Sequence, residues 1–454
     1  MTSAVPLANE HIPPGLKFHR TEMTRLFRSC WPTNRISAAG TTSFLARAII
    51  LAGVAVVGVA VYWSLRITYA DMLFTRDTVN SVERAIRLVP GNARYYVRQA
   101  DLLQQAGADE KLPEAALERA VALNPRDSQV WIDLGLRAEM KGRFSEAEAY
   151  LLEAARVDTT YQPRSTLANY YFRRGEPEKF WRWVREALTT APGDMGPLFR
   201  LCWSLSEDSG LILERAIPDR PETLRQYLGF LLRASRLEAA EVVAERILPH
   251  ATADDLPLLL ACCDRLLEGR QAATATRVWN SLVTRGMIEY EPLLPAEGTA
   301  LTNGGFRIVP RSQGFDWRIP VVDGVTASRD ERPPTLRLTF SGKQPEQCEV
   351  LWQYLPLLAA TSYRFGFEYQ TAGIAPATGL RWEIQDLTGA TVPLAASTSL
   401  AAENWAAEEL TFTTPAKLAA PRLVLAYRRT PGTTRVSGWI ALRRLELRRA
   451  EQAG

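Results

Sequence analysis

The chain changes its hydrophobic rhythm as it proceeds, and each change predicts a different kind of element. Residues 48–65 are uncharged and mostly apolar, running Ala-Ile-Ile-Leu-Ala-Gly-Val-Ala-Val-Val-Gly-Val-Ala-Val-Tyr-Trp-Ser-Leu with no polar face. Phe44 to Ala46 extend the run beyond Arg47, so a transmembrane helix over 43–66 is expected. Residues 71–286 then carry apolar side chains at helical spacing, which predicts helix after helix. Residues 287–302 hold Pro292, Pro295 and Gly298 without a helical stripe and read as a linker. After Asn303 the period drops to two. Tyr363, Phe365, Phe367 and Tyr369 alternate with Arg364, Gly366, Glu368 and Gln370, and Leu380, Trp382, Ile384 and Leu423, Leu425, Tyr427 repeat the theme. Turn signals at Ala372-Gly373, Thr388-Gly389 and Pro431-Gly432 separate these runs, so a β-sandwich is expected over 303–449.

The helical region also repeats itself. Ala85, Ala120, Ala154 and Ala187 are spaced 35, 34 and 33 residues apart. Pro90, Pro125 and Pro192 each follow their alanine by five residues, with Thr159 in the proline's place in the third unit. One unit reads Trp131, Leu134, Gly135, then Ala147, Leu151, Ala154. Small Gly135 and Ala147 let two helices approach closely, and a proline closes the second helix. This pattern resembles the tetratricopeptide repeat, whose helical hairpins stack into a solenoid. Val79–Leu88 reads as half a unit with no preceding partner. Ala93–Gly107 pairs with Pro113–Leu123, the Trp131 unit follows, and Leu167–Arg174 pairs with Lys179–Thr189. From about 195 the alanine–proline marks fade. Met195–Ser206, Pro221–Arg233 with Leu237–Leu248, and Leu256–Leu267 with Ala272–Leu282 keep the hairpin rhythm, as a diverged continuation.

In that family the first helix of each unit lines a groove for a protein partner. The resemblance implies groove positions at Arg94, Asp101, Gln104 and Gln105, then Gln129, Ile132, Leu136, Glu139 and Met140, then Asn169 and Arg173. This is a mixed polar face without a two-arginine carboxylate clamp.

The C-terminal part carries a second likeness. Asn303-Gly304-Gly305-Phe306, Phe315-Asp316-Trp317, Leu336-Arg337-Leu338-Thr339-Phe340-Ser341-Gly342 and the closing run from Gly438 to Leu447 resemble a galactose-binding-like jelly roll of the carbohydrate-binding-module type. That family often carries two aspartates where this chain has Arg443 and Arg444, so a structural calcium is not expected. A glycan-binding role needs exposed rings. Trp382 shares a face with Leu380 and Ile384 and reads as core, Trp352 is ambiguous, and Trp405 in Glu403-Asn404-Trp405 is the best exposed candidate.

Charge orients the chain. The formal net charge is +4, but residues 1–47 hold six Lys/Arg against two acids. Lys17, Arg20, Arg25, Arg28, Arg35 and Arg47 precede the apolar run, whereas Arg66 and Arg76 follow it together with Asp71 and Asp77. The positive-inside bias puts the N-terminus in the cytoplasm and the bulk of the chain outside the inner membrane. A cleaved signal with Thr68-Tyr69-Ala70 as cleavage site is the rival reading, against the ~15–30 residues usual for such leaders. Residues 1–42, with Pro6, Pro13, Pro14 and Pro32, read as a disordered cytoplasmic tail.

Candidate chemistry changes this picture little. Cys30, Cys202, Cys262, Cys263 and Cys348 form no metal or redox spacing, and His11, His19 and His250 are too few for a histidine site. No nucleophile elbow, phosphate loop, zinc-protease helix or dinucleotide fingerprint occurs. Asp254-Asp255 and Glu408-Glu409 read as solvated pairs. No cofactor, metal or nucleic-acid partner is expected. The expectation is a non-enzymatic, membrane-anchored scaffold or adaptor binding protein through the repeat groove. Its architecture resembles accessory proteins of cell-envelope polysaccharide synthesis or export. The alternative is a carbohydrate-binding envelope protein with the solenoid as a stalk, and an envelope enzyme with an unrecognised site is a third class.

Overall fold

The structure, a computed structural model, describes residues 42–387 and 392–450. The expected tail therefore lies outside the described residues, apart from Thr42, and so does the Thr388-Gly389 turn. Among the described residues, fourteen α-helices precede nine β-strands. The chain divides into two compact units, one ending at Leu123 and one beginning at Asn124.

The first unit contains α1 (Thr42–Phe74), α2 (Val79–Leu88), α3 (Ala93–Gln105) and α4 (Lys111–Leu123). The apolar helix does not stop at residue 66; it runs unbroken for 33 residues to Phe74. Ala70 and Leu73 on its last turns are buried with Val82, Ala85, Tyr95 and Leu102. The half-unit expected at Val79–Leu88 is thus a whole hairpin, whose first helix is the C-terminal end of α1. Apolar pattern alone hid this, because one stretch of helix serves two surroundings in succession. Polar ties fix the join. Arg66 Nε donates to the Leu88 carbonyl at 2.7 Å, and the Tyr95 hydroxyl donates to Asp71 at 2.5 Å. Burial, reinforced by that carboxylate, pushes the Tyr95 phenol up to about 12. Thr78 and Ser81 form the capping box that starts α2.

The helices of the second unit are α5 (Ser128–Met140), α6 (Phe144–Val157), α7 (Tyr161–Arg174), α8 (Pro177–Thr190), α9 (Gly196–Leu205), α10 (Ser209–Arg215), α11 (Pro221–Arg233), α12 (Leu237–Ile247), α13 (Leu256–Glu268) and α14 (Ala272–Thr284). They pack as hairpins, and the first helices α5, α7, α9, α11 and α13 contact one another in succession. A Cβ on Gly135 would stand 2.7 Å from the Leu151 side chain, which explains the small residue at the α5/α6 crossing. Gly135→Ala is expected to destabilise by about 1 kcal/mol in chemical denaturation, because overpacking of ~1–3 kcal/mol outweighs a helix-propensity gain of ~1 kcal/mol. The hairpin rhythm does continue past residue 195, with short α10, capped by Asp208, as an added element.

Two expectations are corrected here. Asp255 is not solvated: it is buried, accepts from the Thr252 backbone N–H and pairs with Arg225. The stretch 287–302 is not a loose linker. Ile288, Tyr290 and Leu293 sit in the solenoid core, Ala300 sits in the sandwich core, and the Asn280 amide brackets both backbone groups of Leu293 at 2.8 Å. Prolines there prevent helix but not burial.

The sandwich strands are β1 (Val325–Glu331), β2 (Pro334–Ser341), β3 (Gln347–Tyr354), β4 (Ser362–Ala372), β5 (Leu380–Asp386), β6 (Ala395–Ala396), β7 (Ala406–Thr413), β8 (Pro421–Arg428) and β9 (Ser437–Arg449). One antiparallel sheet has the order β1-β2-β9-β4-β7 and the other β3-β8-β5-β6. Tyr363, Phe365, Phe367 and Tyr369 meet Trp382, Leu425 and Tyr427 in the core between them. Trp317 and Trp382 are fully buried, with ring centroids 6.1 Å apart. Glu383 alternates away from this core yet is buried under Arg381, Arg428 and Gln385. Burial alone would raise its pKa, but those donors outweigh it and hold the carboxyl below its usual range.

Candidate functional site

Among the groove positions implied by the repeat likeness, Glu139 and Arg173 bind each other, and Gln129 and Asn169 bind other neighbours. Gln162 donates to Gln129 at 2.6 Å, and Gln129 donates to Asp133 at 2.8 Å. Arg173 binds Glu139 through two hydrogen bonds of 2.8 and 2.7 Å. The Asn169 amide donates to the Ser165 carbonyl at 2.7 Å. The Gln162–Gln129 and Arg173–Glu139 contacts tie α5 to α7. Ile132 is 3 % exposed and belongs to the core, so its assignment to the groove is corrected. Leu136 and Met140 do face solvent, Met140 being 77 % exposed. On α3, Arg94, Gln104 and Gln105 are exposed, and Asp101 lies 3.6 Å from Arg98.

The most distinctive cleft opens farther along, between α9 and α11, where the repeat marks had faded. It encloses about 400 Å³ and is lined by Asp194, Gly196, Arg200, Phe230, Arg233 and Ala234. A neighbouring recess of about 270 Å³ adds Phe199, Arg225, Gln226, Gly229 and Leu258. Arg200 and Arg233 each stand four residues after a glycine and 33 residues from each other. Their Nη1 atoms lie 3.6 and 3.4 Å from where a Cβ on Gly196 or Gly229 would be. Each guanidinium therefore folds back over a glycine of its own helix. Neither has a hydrogen bond or ion pair among the described residues. Arg225, by contrast, is held by Asp255. Gln226 accepts from the Met195 N–H at 3.2 Å and donates to the Gly193 carbonyl at 3.2 Å, fixing the loop that carries Asp194 on the rim. The sequence did hold a signal, the recurrence of Gly-x-x-x-Arg at the repeat period, but the alanine–proline marks do not lead to it.

On the sandwich, Trp405 is 36 % exposed, and Arg443 lies 3.9 Å above its ring. It borders a cleft of about 480 Å³ with Asp330, Arg337, Gln370 and Ala441. Arg443 and Arg444 both pair with Glu368, at 2.7 and 2.9 Å. Trp352 is different: Arg318 covers its ring at 4.6 Å and Arg422 at 4.8 Å, with Tyr354 edge-on at 5.1 Å. It offers no open ring to a sugar, which corrects its place among the glycan-binding candidates. Glu408 accepts from the Tyr369 hydroxyl at 2.6 Å, and Glu409 lies 3.6 Å from Arg364, so this pair is engaged rather than merely solvated.

Among the described residues no group of three or more His, Cys, Asp or Glu could hold a metal ion. Cys202 and Cys262 are buried, and burial pushes both thiols up to about 12, far from the range of a reactive thiolate.

No family model matches the chain, and no curated protein matches it. Among solved structures it is similar to one titled "CBM4 structure and function", with 16 % identity over 33 % of this chain and 98 % of that one, at a TM-score of 0.26. It is also similar to YrrB, described as a TPR protein with an unusual peptide-binding site, with 13 % identity over 46 % of this chain and 93 % of that one, at 0.24. Pseudomonas aeruginosa pilF shares 17 % identity over 50 % of this chain and 90 % of its own, at 0.25. By its own geometry the chain consists of an apolar helix long enough to cross a membrane, tetratricopeptide-type helical hairpins, and a jelly-roll sandwich.

Proposed function

We propose that this protein is a non-enzymatic, membrane-anchored adaptor whose helical array binds an acidic segment of a partner protein at Arg200 and Arg233. One observation carries the reading: two guanidinium groups without acidic partners flank a single open, glycine-floored cleft. Arginine presents a planar fork of donors that matches a carboxylate. Gly196 and Gly229 let the two guanidinium groups lie close over their own helices, and Phe230 supplies an apolar wall. The apolar helix α1 would hold this cleft at a membrane and raise the local concentration of whatever it binds. The proposal extends to an inner-membrane protein with a cytoplasmic N-terminus, acting in cell-envelope polysaccharide synthesis or export. Support for that extension is the basic flank before α1 and the architecture as a whole.

A second reading is favoured by one specific feature, the exposed Trp405 beside the Gln370 and Asp330 cleft. There the sandwich would bind glycan and the helices would serve as a stalk.

Both are tested on the full chain in detergent. Fluorescence anisotropy with labelled eight-residue Asp/Glu-rich peptides is expected to show saturable, salt-sensitive binding. Arg200→Gln with Arg233→Gln should weaken it by at least about 100-fold, since each charge-assisted hydrogen bond contributes ~1.5–3 kcal/mol and ~1.4 kcal/mol is tenfold. Peptide affinity unchanged in that double variant sinks the adaptor site. Saturable polysaccharide binding that is lost in Trp405→Ala and untouched by the arginine pair puts the second reading first.

A further inference from the structure

We propose that the corner between α2 and α3 forms a basic collar, Arg84, Arg87 and Arg94, that binds the phosphate headgroups of anionic lipids. The inference rests on α1 crossing a membrane. Its first support is the depth at which α1 leaves the bilayer. Tyr62 and Trp63 end the apolar run, and aromatic rings with one polar edge settle at the headgroup level. Arg66 follows within one turn and spreads over these rings, its guanidinium 5.9 Å from Tyr62 and 5.0 Å from Trp63. The same guanidinium donates to the Tyr62 hydroxyl at 3.3 Å and to the Leu88 carbonyl at 2.7 Å.

That last bond sets the geometry. α2 folds back along α1, so its C-terminal end returns to the depth of Arg66. At ~1.5 Å of rise per residue, Arg87 lies within about 2 Å of Leu88 along the axis, and Arg84 about 6 Å farther out. Arg84 and Arg87 are spaced three apart and face solvent together on the side of α2 away from Val82 and Ala85. The chain then turns through exposed Pro90 and Gly91, held by the Tyr96 hydroxyl donating to the Pro90 carbonyl at 3.2 Å. Exposed Arg94 follows in the first turn of α3.

The side chains of Arg84, Arg87 and Arg94 form no ion pair or hydrogen bond among the described residues. Of the nearby acids two are used elsewhere, and Glu83, one turn before Arg87 on α2, forms no ion pair among the described residues. Asp71 accepts from Tyr95, and Asp77 holds Arg98. Three unpaired guanidinium groups at headgroup depth match the phosphates of anionic lipids in the leaflet where α1 emerges, which the proposed topology makes the outer one, and each adds a charge-assisted contact. Because Arg66, Tyr95 and Arg98 lock α1, α2 and α3 together, lipid contact at this corner would be transmitted to the whole first hairpin.

The experiment uses the full chain in lipid nanodiscs, either of neutral phosphatidylcholine or with one third phosphatidylglycerol. Amide hydrogen exchange in α2 and the first turn of α3 is expected to slow at least three-fold in the anionic discs. The gain should vanish in the triple variant Arg84→Gln, Arg87→Gln, Arg94→Gln, whose exchange in neutral discs should match the parent and so certify its fold. Insertion into discs with equal exchange in both lipids overturns the collar alone. Failure of the chain to enter discs at all overturns the membrane reading and the collar with it.

Discussion

Arg318→Ala is expected to split one calorimetric unfolding transition of the solenoid end and sandwich into two. The Arg318 guanidinium reaches Asp264 on α13 at 2.5 Å and the Gly314 carbonyl at 2.9 Å. Its plane lies 4.6 Å from the Trp352 ring and 4.9 Å from Tyr354. Around it, Trp279 of α14 packs against Tyr290 and Phe315, and Gly314 leaves the space that the Trp279 ring fills. The solenoid and the sandwich thus share a core, with one cation at its polar edge. The pair is partly buried and Asp264 keeps the Gly314 N–H as a donor, so losing Arg318 is expected to cost about 1.5–3 kcal/mol, the usual measure for hydrogen bonds to charged groups. A single transition in the variant, at the parent's temperature, would mean that the apolar contacts alone hold the joint.

The pH dependence of that joint has a definite sign. Burial pushes the Asp264 carboxyl above its usual range, and Arg318 offsets this only in part. The folded joint therefore binds that proton more tightly than the unfolded chain does. Stability is fully present below the unfolded carboxylate pKa and is lost as pH rises through the higher folded value. Without Arg318 the folded value climbs further, so Arg318→Ala should lose less stability at pH 5 than at pH 8.

Removing residues 1–74 is expected to unfold the first hairpin. Val82 and Ala85 of α2 and Tyr95 of α3 bury their side chains against Ala70 and Leu73 of α1. A Leu73→Ala change alone should cost about 2–5 kcal/mol by the usual measure for buried leucine. The truncation also strips Asp71 from the Tyr95 hydroxyl and Arg66 from the Leu88 carbonyl. Hydrogen exchange in α2 and α3 of the fragment should approach that of an unfolded chain. Protection equal to that of the full chain would show that α2–α4 fold without α1. A soluble fragment begun at residue 71, where the apolar run reads as finished, cuts through the first hairpin's core.

Much of the architecture was legible because it follows from short-range rules. The period-3.6 stripes located the hairpins to within a few residues, from Ala93 through Leu282, since each helix needs one apolar face. The period-2 runs at 363–369, 380–384 and 423–427 located β4, β5 and β8 for the matching reason. The alanine ladder marked places where helices cross closely, as Ala120, Ala154 and Ala187 all prove buried. The site was much less legible. The family's groove positions led to Glu139 and Arg173, which bind each other, and to Gln129, which is held by Gln162 and Asp133. Arg200 and Arg233 recur as Gly-x-x-x-Arg, but nothing in that spacing says they stay unpaired; that is defined by which acids fail to come near.

The sequence by itself determined the order and kind of elements: an apolar helix, a run of helical hairpins and an antiparallel sandwich. Each is set by periodicity and turn residues that act within a few positions of one another. Only the tertiary structure decided where those elements end and whom they meet. It made the last turns of α1 part of a repeat, turned a proline-rich stretch into a buried bracket, and covered Trp352 with two arginines while leaving Trp405, under one, partly exposed. The physical reason is that burial and ion pairing depend on through-space neighbours, and residues 264 and 318, or 66 and 88, become neighbours only when the chain has folded.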